Sequence, residues 1–337
     1  MRDNLIRIAE DTIDFSGIIY AKNNNGVIID RAFGFANRSE ELPNTLNTRF
    51  GIASGCKLFT SIGICQLVEK GKLTFKTRLE DCLPFPFPRF SESITIHHLL
   101  THTSGIPDYF DEVIMDDYED LWKERPMYSI KQLKDFLPMF QNNEMMFHPG
   151  ERFHYNNAGF ILLGLIIEQV SGELFTDYIM DNIFKPCKMD DSGYFSMDHL
   201  PKNTAYGYID NKEDGTWRTN IYSIPIKGGA DGGAFITAPD MIKLWDGLLN
   251  HQLLSKKYTD ELLKPHVCVK NGDENHYGYG IWITMKNGQI YKYHIMGYDP
   301  GVSFHSCFYP HSESILVVPS NKSEGAFQIV KGFEENL

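Results

Sequence analysis

Apolar positions change their spacing several times along this chain, and each change marks an element. The stretch from about Arg2 to Ile13 mixes apolar and charged residues as an amphipathic helix does. Two short β runs follow, Gly17 to Lys22 and Val27 to Ala32, joined by the hairpin turn Asn23-Asn24-Asn25-Gly26. After Phe50 a brief extended run gives way to period 3.6. Leu58, Phe59, Ile62, Leu67 and Val68 share one face, and the helix ends at Gly71. Pro84-Phe85-Pro86-Phe87-Pro88 is not helical throughout and marks a crossing between layers. Ile94-Thr95-Ile96 then leads into another helix start at His97 to Leu100. From about Asp108 to Phe147 acids, aromatics and methionines crowd together without strand alternation, which predicts helical and loop-like cover. Asn157 to Ser171 is an apolar helix stopped by Gly172.

The last third returns to period two. Tyr279 to Lys286 and Gln289 to Met296 flank Asn287-Gly288, a type I′ hairpin signal. Val302 to Tyr309 and Ser314 to Pro319 add two strands, and Glu324 to Phe333 predicts a closing helix. Strands at both ends with helices between predict an α+β fold. An antiparallel sheet built from both termini is flanked by helices and carries an inserted, mainly helical domain. The expected division is a sheet part over about 1–75 and 225–337 and a helical part over about 76–224. Both belong to one catalytic unit, with the site at their seam.

Composition narrows the partners more than the fold. At 337 residues, with 42% apolar and 23% charged residues, the chain has enough material for a substantial core. A formal net charge of −12 argues against nucleic acid and anionic membrane surfaces. No segment approaches the length of a membrane span. The first residues lack the apolar region and cleavage site of a signal peptide, so a cytoplasmic location is expected; an exported protein shorn of its leader would read the same way. The cysteines at 56, 65, 82, 187, 268 and 307 show no C-x-x-C or zinc spacing, which suits buried thiols in a reducing compartment. His97 and His98 lack a third ligand at useful spacing, and His102 in Thr101-His102-Thr103-Ser104-Gly105 reads as a brace for a turn. The glycine-rich run Lys227 to Gly233 matches neither a P-loop nor a dinucleotide fingerprint. Neither metal nor organic cofactor is expected.

The chemistry concentrates in Ser54-Gly55-Cys56-Lys57. A serine hydroxyl needs an adjacent base to become a nucleophile at neutral pH, and a partly buried lysine one helical turn away supplies one. The same residues also fit an N-cap serine followed by a surface lysine. Further along, His148 to Asn157 ends in Tyr155-Asn156-Asn157, just before an apolar helix. His98-Leu99-Leu100-Thr101-His102-Thr103-Ser104-Gly105-Ile106-Pro107 lies between the two. In that order, with Phe33-Gly34-Phe35-Ala36-Asn37, Phe184-Lys185-Pro186 and Gly232-Gly233-Ala234, the motifs resemble the serine β-lactamase and penicillin-binding-protein superfamily. The branch they resemble holds class C β-lactamases, D-stereospecific peptidases and related carboxylesterases.

The resemblance implies roles. Ser54 is the nucleophile of an acyl-enzyme, Lys57 its base or the charge that steadies its partner, and Tyr155 a phenol working with Lys57 in proton transfer. Asn157 contacts the substrate amide. The oxyanion hole is formed by the N–H of Ser54 and that of Tyr298, with Gly297 letting substrate lie against the backbone. Relatives carry Lys or His two residues before that glycine, but here the position is Ile295, and His294 is one residue early and expected to face away. The expected function is therefore a serine hydrolase acting on an ester, amide or β-lactam carbonyl of a small-molecule or peptide-like acyl substrate. Esterase or D-amino peptidase activity is favoured over efficient β-lactamase activity. The alternative is a catalytically idle member that binds a peptide or acyl ligand as a sensor.

Overall fold

The computed structural model describes residues 1–12, 14–270, 272 and 274–337. Its centre is an eight-stranded sheet in which every neighbouring pair is antiparallel. Across the sheet the strands run Gly26–Phe33, Gly17–Asn23, Ser314–Ser320, Val302–Tyr309, Gln289–Asp299, Trp282–Lys286, Asn275–Tyr277 and Val267–Cys268. The amino-terminal hairpin thus adds onto a carboxyl-terminal meander, and the fold is α+β as the element order predicts.

Period-two alternation sorts the sheet's side chains between two cores. Ile19, Ala21, Leu316 and Val318 meet the amino-terminal helix Arg2–Arg7 and the carboxyl-terminal helix Ala326–Glu334 on one face. Ile18, Ile295, Phe304 and Val317 belong to the larger core on the other face, which contains the helices Lys57–Glu69, Asn157–Ser171 and Ala238–Leu249. Every residue of the first of these helices from Lys57 to Val68 is buried. A helix wrapped on all sides places even its lysine out of water. Asn157–Ser171 packs against it and is just as apolar. Among the described residues no single helix is long and apolar enough to cross a membrane.

Three boundaries differ from expectation. The first helix is α-helical over Arg2–Arg7 and continues as a wider π turn over Ile8–Thr12, while Ile13 lies outside the described residues. The strand expected from Tyr279 starts at Trp282, because Gly280 turns the chain with φ +68°. The hairpin partner runs on to Asp299 instead of stopping at Met296. Asn287 and Gly288 take φ +51° and +75°, the two positive values a type I′ turn requires. The longer partner has a consequence for the site. Its pairing with Trp282–Lys286 ends at His294, while its pairing with Val302–Tyr309 continues to Asp299. Residues 295–299 therefore have one edge without a strand partner among the described residues.

Candidate active site

The stretch leading to Ser54 is a strained turn. Phe50–Gly51 pairs with Phe235–Ile236, after which Ala53 adopts φ +44° and opens the 3-10 turn Ala53–Cys56. A non-glycine residue in this region is costly and persists only where its surroundings hold it. Here they do: Ile52 N–H donates to Ala234 O at 3.0 Å, Gly55 N–H to Ile52 O at 2.8 Å and Gly233 N–H to Ala53 O at 3.3 Å. The partner-free strand edge lies directly on this turn. A Cβ at Gly297 would sit 2.1 Å from Ile52 O and 2.7 Å from Ser54 N. Gly297 is thus required by the packing of the strand against the Ser54 turn, a reason beyond the substrate contact expected from sequence.

Lys57 begins the helix proper and is 2% exposed. Its Nζ donates to Ser54 Oγ at 2.9 Å, to Asn157 Oδ1 at 2.8 Å and to the backbone carbonyl of Asp231 at 2.7 Å. The Tyr155 ring centroid is 4.9 Å from the same nitrogen. Burial holds the Tyr155 phenol well above its usual range and the charge of Glu112 adds to the effect, while a hydrogen bond with the Ser54 hydroxyl opposes it. Tyr155 is accordingly a neutral phenol at rest. Its ring lies between Trp282, stacked at 6.0 Å, and His102 at 4.4 Å. His102 accepts from the Asn156 N–H at Nδ1 (3.0 Å) and meets Tyr277 Oη at Nε2 (3.1 Å). Burial keeps it neutral, so it braces Tyr155 from behind.

Asn157 opens its helix behind the cap Asn156, whose Oδ1 accepts from Gly159 N–H at 2.7 Å. Asp108 fixes its orientation. The Asp108 carboxylate accepts from the N–H groups of Tyr109 (2.8 Å), Asn157 (2.7 Å) and Ala158 (2.9 Å), and from Asn157 Nδ2 at 3.3 Å. Phe110 O takes the other Nδ2 proton at 3.2 Å. The amide oxygen of Asn157 is therefore left for Lys57. Burial pushes Asp108 up to about 7 despite these bonds. Burial also pushes the neighbouring Cys56 thiol up to about 12, so it stays protonated.

Ser54, Tyr155, Asn157, Gly297 and Tyr298 all line one cavity of about 620 Å³. Tyr298 is half-exposed there, its hydroxyl 2.6 Å from His305 Nε2. Ile295 is 2% exposed and belongs to the core. His294 is buried, uncharged and stacked on Trp282 at 6.4 Å. The register with Val302–Tyr309 runs unshifted from Tyr293 to Asp299, so no bulge turns His294 into the cavity. Among the described residues no group of His, Cys, Asp and Glu is placed to hold a metal ion.

Compared with known proteins, residues 5–333 match the Beta-lactamase family. The chain belongs to that family. It is a serine hydrolase of the Beta-lactamase type, with the mixed fold of that family. Penicillin-binding protein 4* of Bacillus subtilis (strain 168) is 30% identical over 328 residues, covering 92% of this chain and 69% of that protein. A penicillin binding protein of known crystal structure from Bacillus halodurans is 57% identical, with a TM-score of 0.95 and coverage of 99% of this chain and 100% of that one. The octameric penicillin-binding protein homologue from Pyrococcus abyssi is 28% identical, with a TM-score of 0.83 over 98% and 74% of the two chains.

Several residues of this Beta-lactamase-family site were not picked out from sequence. Asp108 follows the Thr101-to-Pro107 motif by one residue, and Asp231 sits inside the glycine-rich run, where its carbonyl takes Lys57 and its carboxylate takes the Tyr109 hydroxyl. Glu112 and Asp299 also line the cavity. The only available signal was their adjacency to motifs, since an isolated acid in a loop carries no periodicity.

Proposed function

We propose that this serine hydrolase acylates and deacylates Ser54 on ester or amide carbonyls, with Lys57 as the base of the first step. The observation that supports it is the set of three oxygens around Lys57 Nζ, of which the Ser54 hydroxyl alone can also donate. Asn157 Oδ1 and Asp231 O are amide oxygens and can only accept. In the neutral amine they engage the two remaining N–H groups, which leaves the lone pair directed at Ser54 Oγ. The serine proton then passes to Nζ as Oγ bonds to the carbonyl carbon, and the carbonyl electron pair moves onto its oxygen. The N–H groups of Ser54 and Tyr298 stabilise that oxyanion. Collapse expels the leaving group, which takes a proton from Lys57 directly or through the neutral Tyr155 phenol. Water repeats the sequence on the acyl-enzyme. Asn157 positions Lys57, with Asp108 holding its amide in register.

The cavity wall carries no lysine, arginine or histidine among the described residues, and Ile295 is buried in the core. No positive side chain among the described residues of this wall pairs with the carboxylate of a β-lactam. The relatives' names speak of binding penicillin; for this chain we propose poor β-lactam turnover and better turnover of esters or amides without a carboxylate. A fluorophosphonate probe followed by intact-mass measurement and peptide mapping tests the mechanism. One adduct at Ser54 is expected. A folded protein that takes no adduct would return the chain to an idle, ligand-binding role.

A further inference from the structure

Asp231 is the single residue from Gly228 to Ala234 with a side chain larger than a methyl group. Its loop closes on itself: Gly229 N–H donates to Gly232 O at 2.8 Å, and a Cβ at Gly228 would lie 2.3 Å from Gly233 O. Thr60 Oγ1 donates to Ala230 O at 2.6 Å, so the loop rests on the same helix that carries Lys57. Glycines alone would leave the peptide planes here free to turn. The Asp231 side chain limits that freedom, being 6% exposed with its carboxylate accepting from the Tyr109 hydroxyl. Tyr109 is itself buried and packs on Phe136, ring centroids 5.0 Å apart. Burial and the Asp231 charge hold its phenol well above the usual range, so the hydroxyl is the donor of this bond. Asp108, one residue earlier, fixes Asn157. Adjacent residues thus orient both amide oxygens that face Lys57 Nζ, Asp108 through the Asn157 side chain and Tyr109 through Asp231.

We propose that Tyr109 and Asp231 are positioning residues for Lys57: the Tyr109 hydroxyl fixes the Asp231 carboxylate, which steadies the Asp231 carbonyl against Nζ and stabilises the ammonium formed there when Ser54 gives up its proton. This rests on the acyl-enzyme reading above. In that step the proton passes from Ser54 Oγ to the Nζ lone pair, while Asp231 keeps its charge and Tyr109 its proton. A positive charge therefore appears on a buried nitrogen, where an unpaired charge is costly. Burial raises the Asp231 carboxyl, and the Lys57 charge and the Tyr109 hydrogen bond both oppose that rise. The carboxylate and the amine thus act on each other through space, and the phenol favours the ionised form of the acid. A carboxylate beside a histidine base orients it and stabilises the imidazolium that forms. Asp231 does the same for an amine.

Two conservative variants test this. Tyr109→Phe removes the donor and keeps the carboxylate, whereas Asp231→Asn keeps an acceptor and removes the charge. With p-nitrophenyl acetate each should lower kcat by about 10–100-fold and change KM by less than about threefold. The double variant should lose much less than the product of the two, because both act on one nitrogen. A variant folded by circular dichroism that keeps kcat within about twofold, or that loses through KM alone, overturns the proposal. Fluorophosphonate labelling of the wild type at Ser54 shows separately that the acyl-enzyme reading stands. If the wild type neither labels nor turns over, that reading fails, and heteronuclear NMR of lysine-labelled protein decides the positioning role. The Lys57 Nζ signal, identified by its loss in Lys57→Ala, should shift in both variants; an unmoved signal overturns the proposal.

Discussion

Ser54→Ala should abolish ester turnover and fluorophosphonate labelling with an unchanged melting temperature, because the hydroxyl's hydrogen bonds are made around a cavity and not within the core. Lys57→Ala and Tyr155→Phe should each lower kcat by about 10²–10⁴-fold, and the double variant by much less than the product, since the two act on one proton. Near wild-type kcat in Lys57→Ala would remove the base. Asp108→Asn probes the next layer. Its two carboxylate oxygens serve four N–H donors, whereas an amide would turn its own NH₂ toward two of them. That should cost about 1–3 kcal/mol of stability. Asn157 would also lose its orientation, so kcat should fall more than KM changes. Full kcat in a folded Asp108→Asn protein would show that Asn157 holds its pose without help. Ser54, Lys57, Tyr155 and Asn157 could be read from sequence because their spacing places them at helix starts. Asp108 could not, since its partners are backbone groups 49 and 50 positions away.

The segment from Asp108 to Phe147 contributes Tyr109, Phe110, Met115, Tyr118 and Phe136 to the cavity wall and contains only short helical turns. We expect it to set substrate size. Shortening it around the exposed Val113 and Ile114 should change KM or substrate range, with labelling by a small fluorophosphonate nearly preserved. Equal loss for large and small substrates would sink this role. The strand Gln289–Asp299 yields a second expectation. With Ile295 in the core and His294 behind Trp282, penicillins and cephalosporins should be hydrolysed poorly, and steady-state assays with both check it. The elements were legible where one pattern dominated: the Asn287-Gly288 hairpin, the helix ended by Gly172 and the paired amino-terminal strands. They were misread where a backbone feature cut across the pattern, as at Gly280, or where pairing with a neighbour carried a strand beyond its apolar run, as at Asp299.

For the molecule as a whole the acidic site has a stability consequence. Asp299 is pushed up to about 7 in the folded chain, against about 4 when unfolded. Between those values the folded state binds the extra proton, so its contribution to stability falls as pH rises from about 4 to about 7 and then levels off. An asparagine does not titrate. The melting temperature of Asp299→Asn relative to wild type should therefore rise across that window, and a pH-independent difference would contradict the assignment.

The order of elements, the faces of the sheet and the Ser-x-x-Lys and Tyr-x-Asn spacings were all contained in the linear pattern, because each depends on residues within one or two turns or on period-two alternation. The tertiary structure decided the rest. It buried Lys57 on every side, set Asn157 and Asp231 around its nitrogen, and brought Gly297 onto the Ser54 turn. It also gathered acids from distant loops into one wall. Those features arise from through-space packing and electrostatics among segments far apart in the chain, and local spacing carries no record of them.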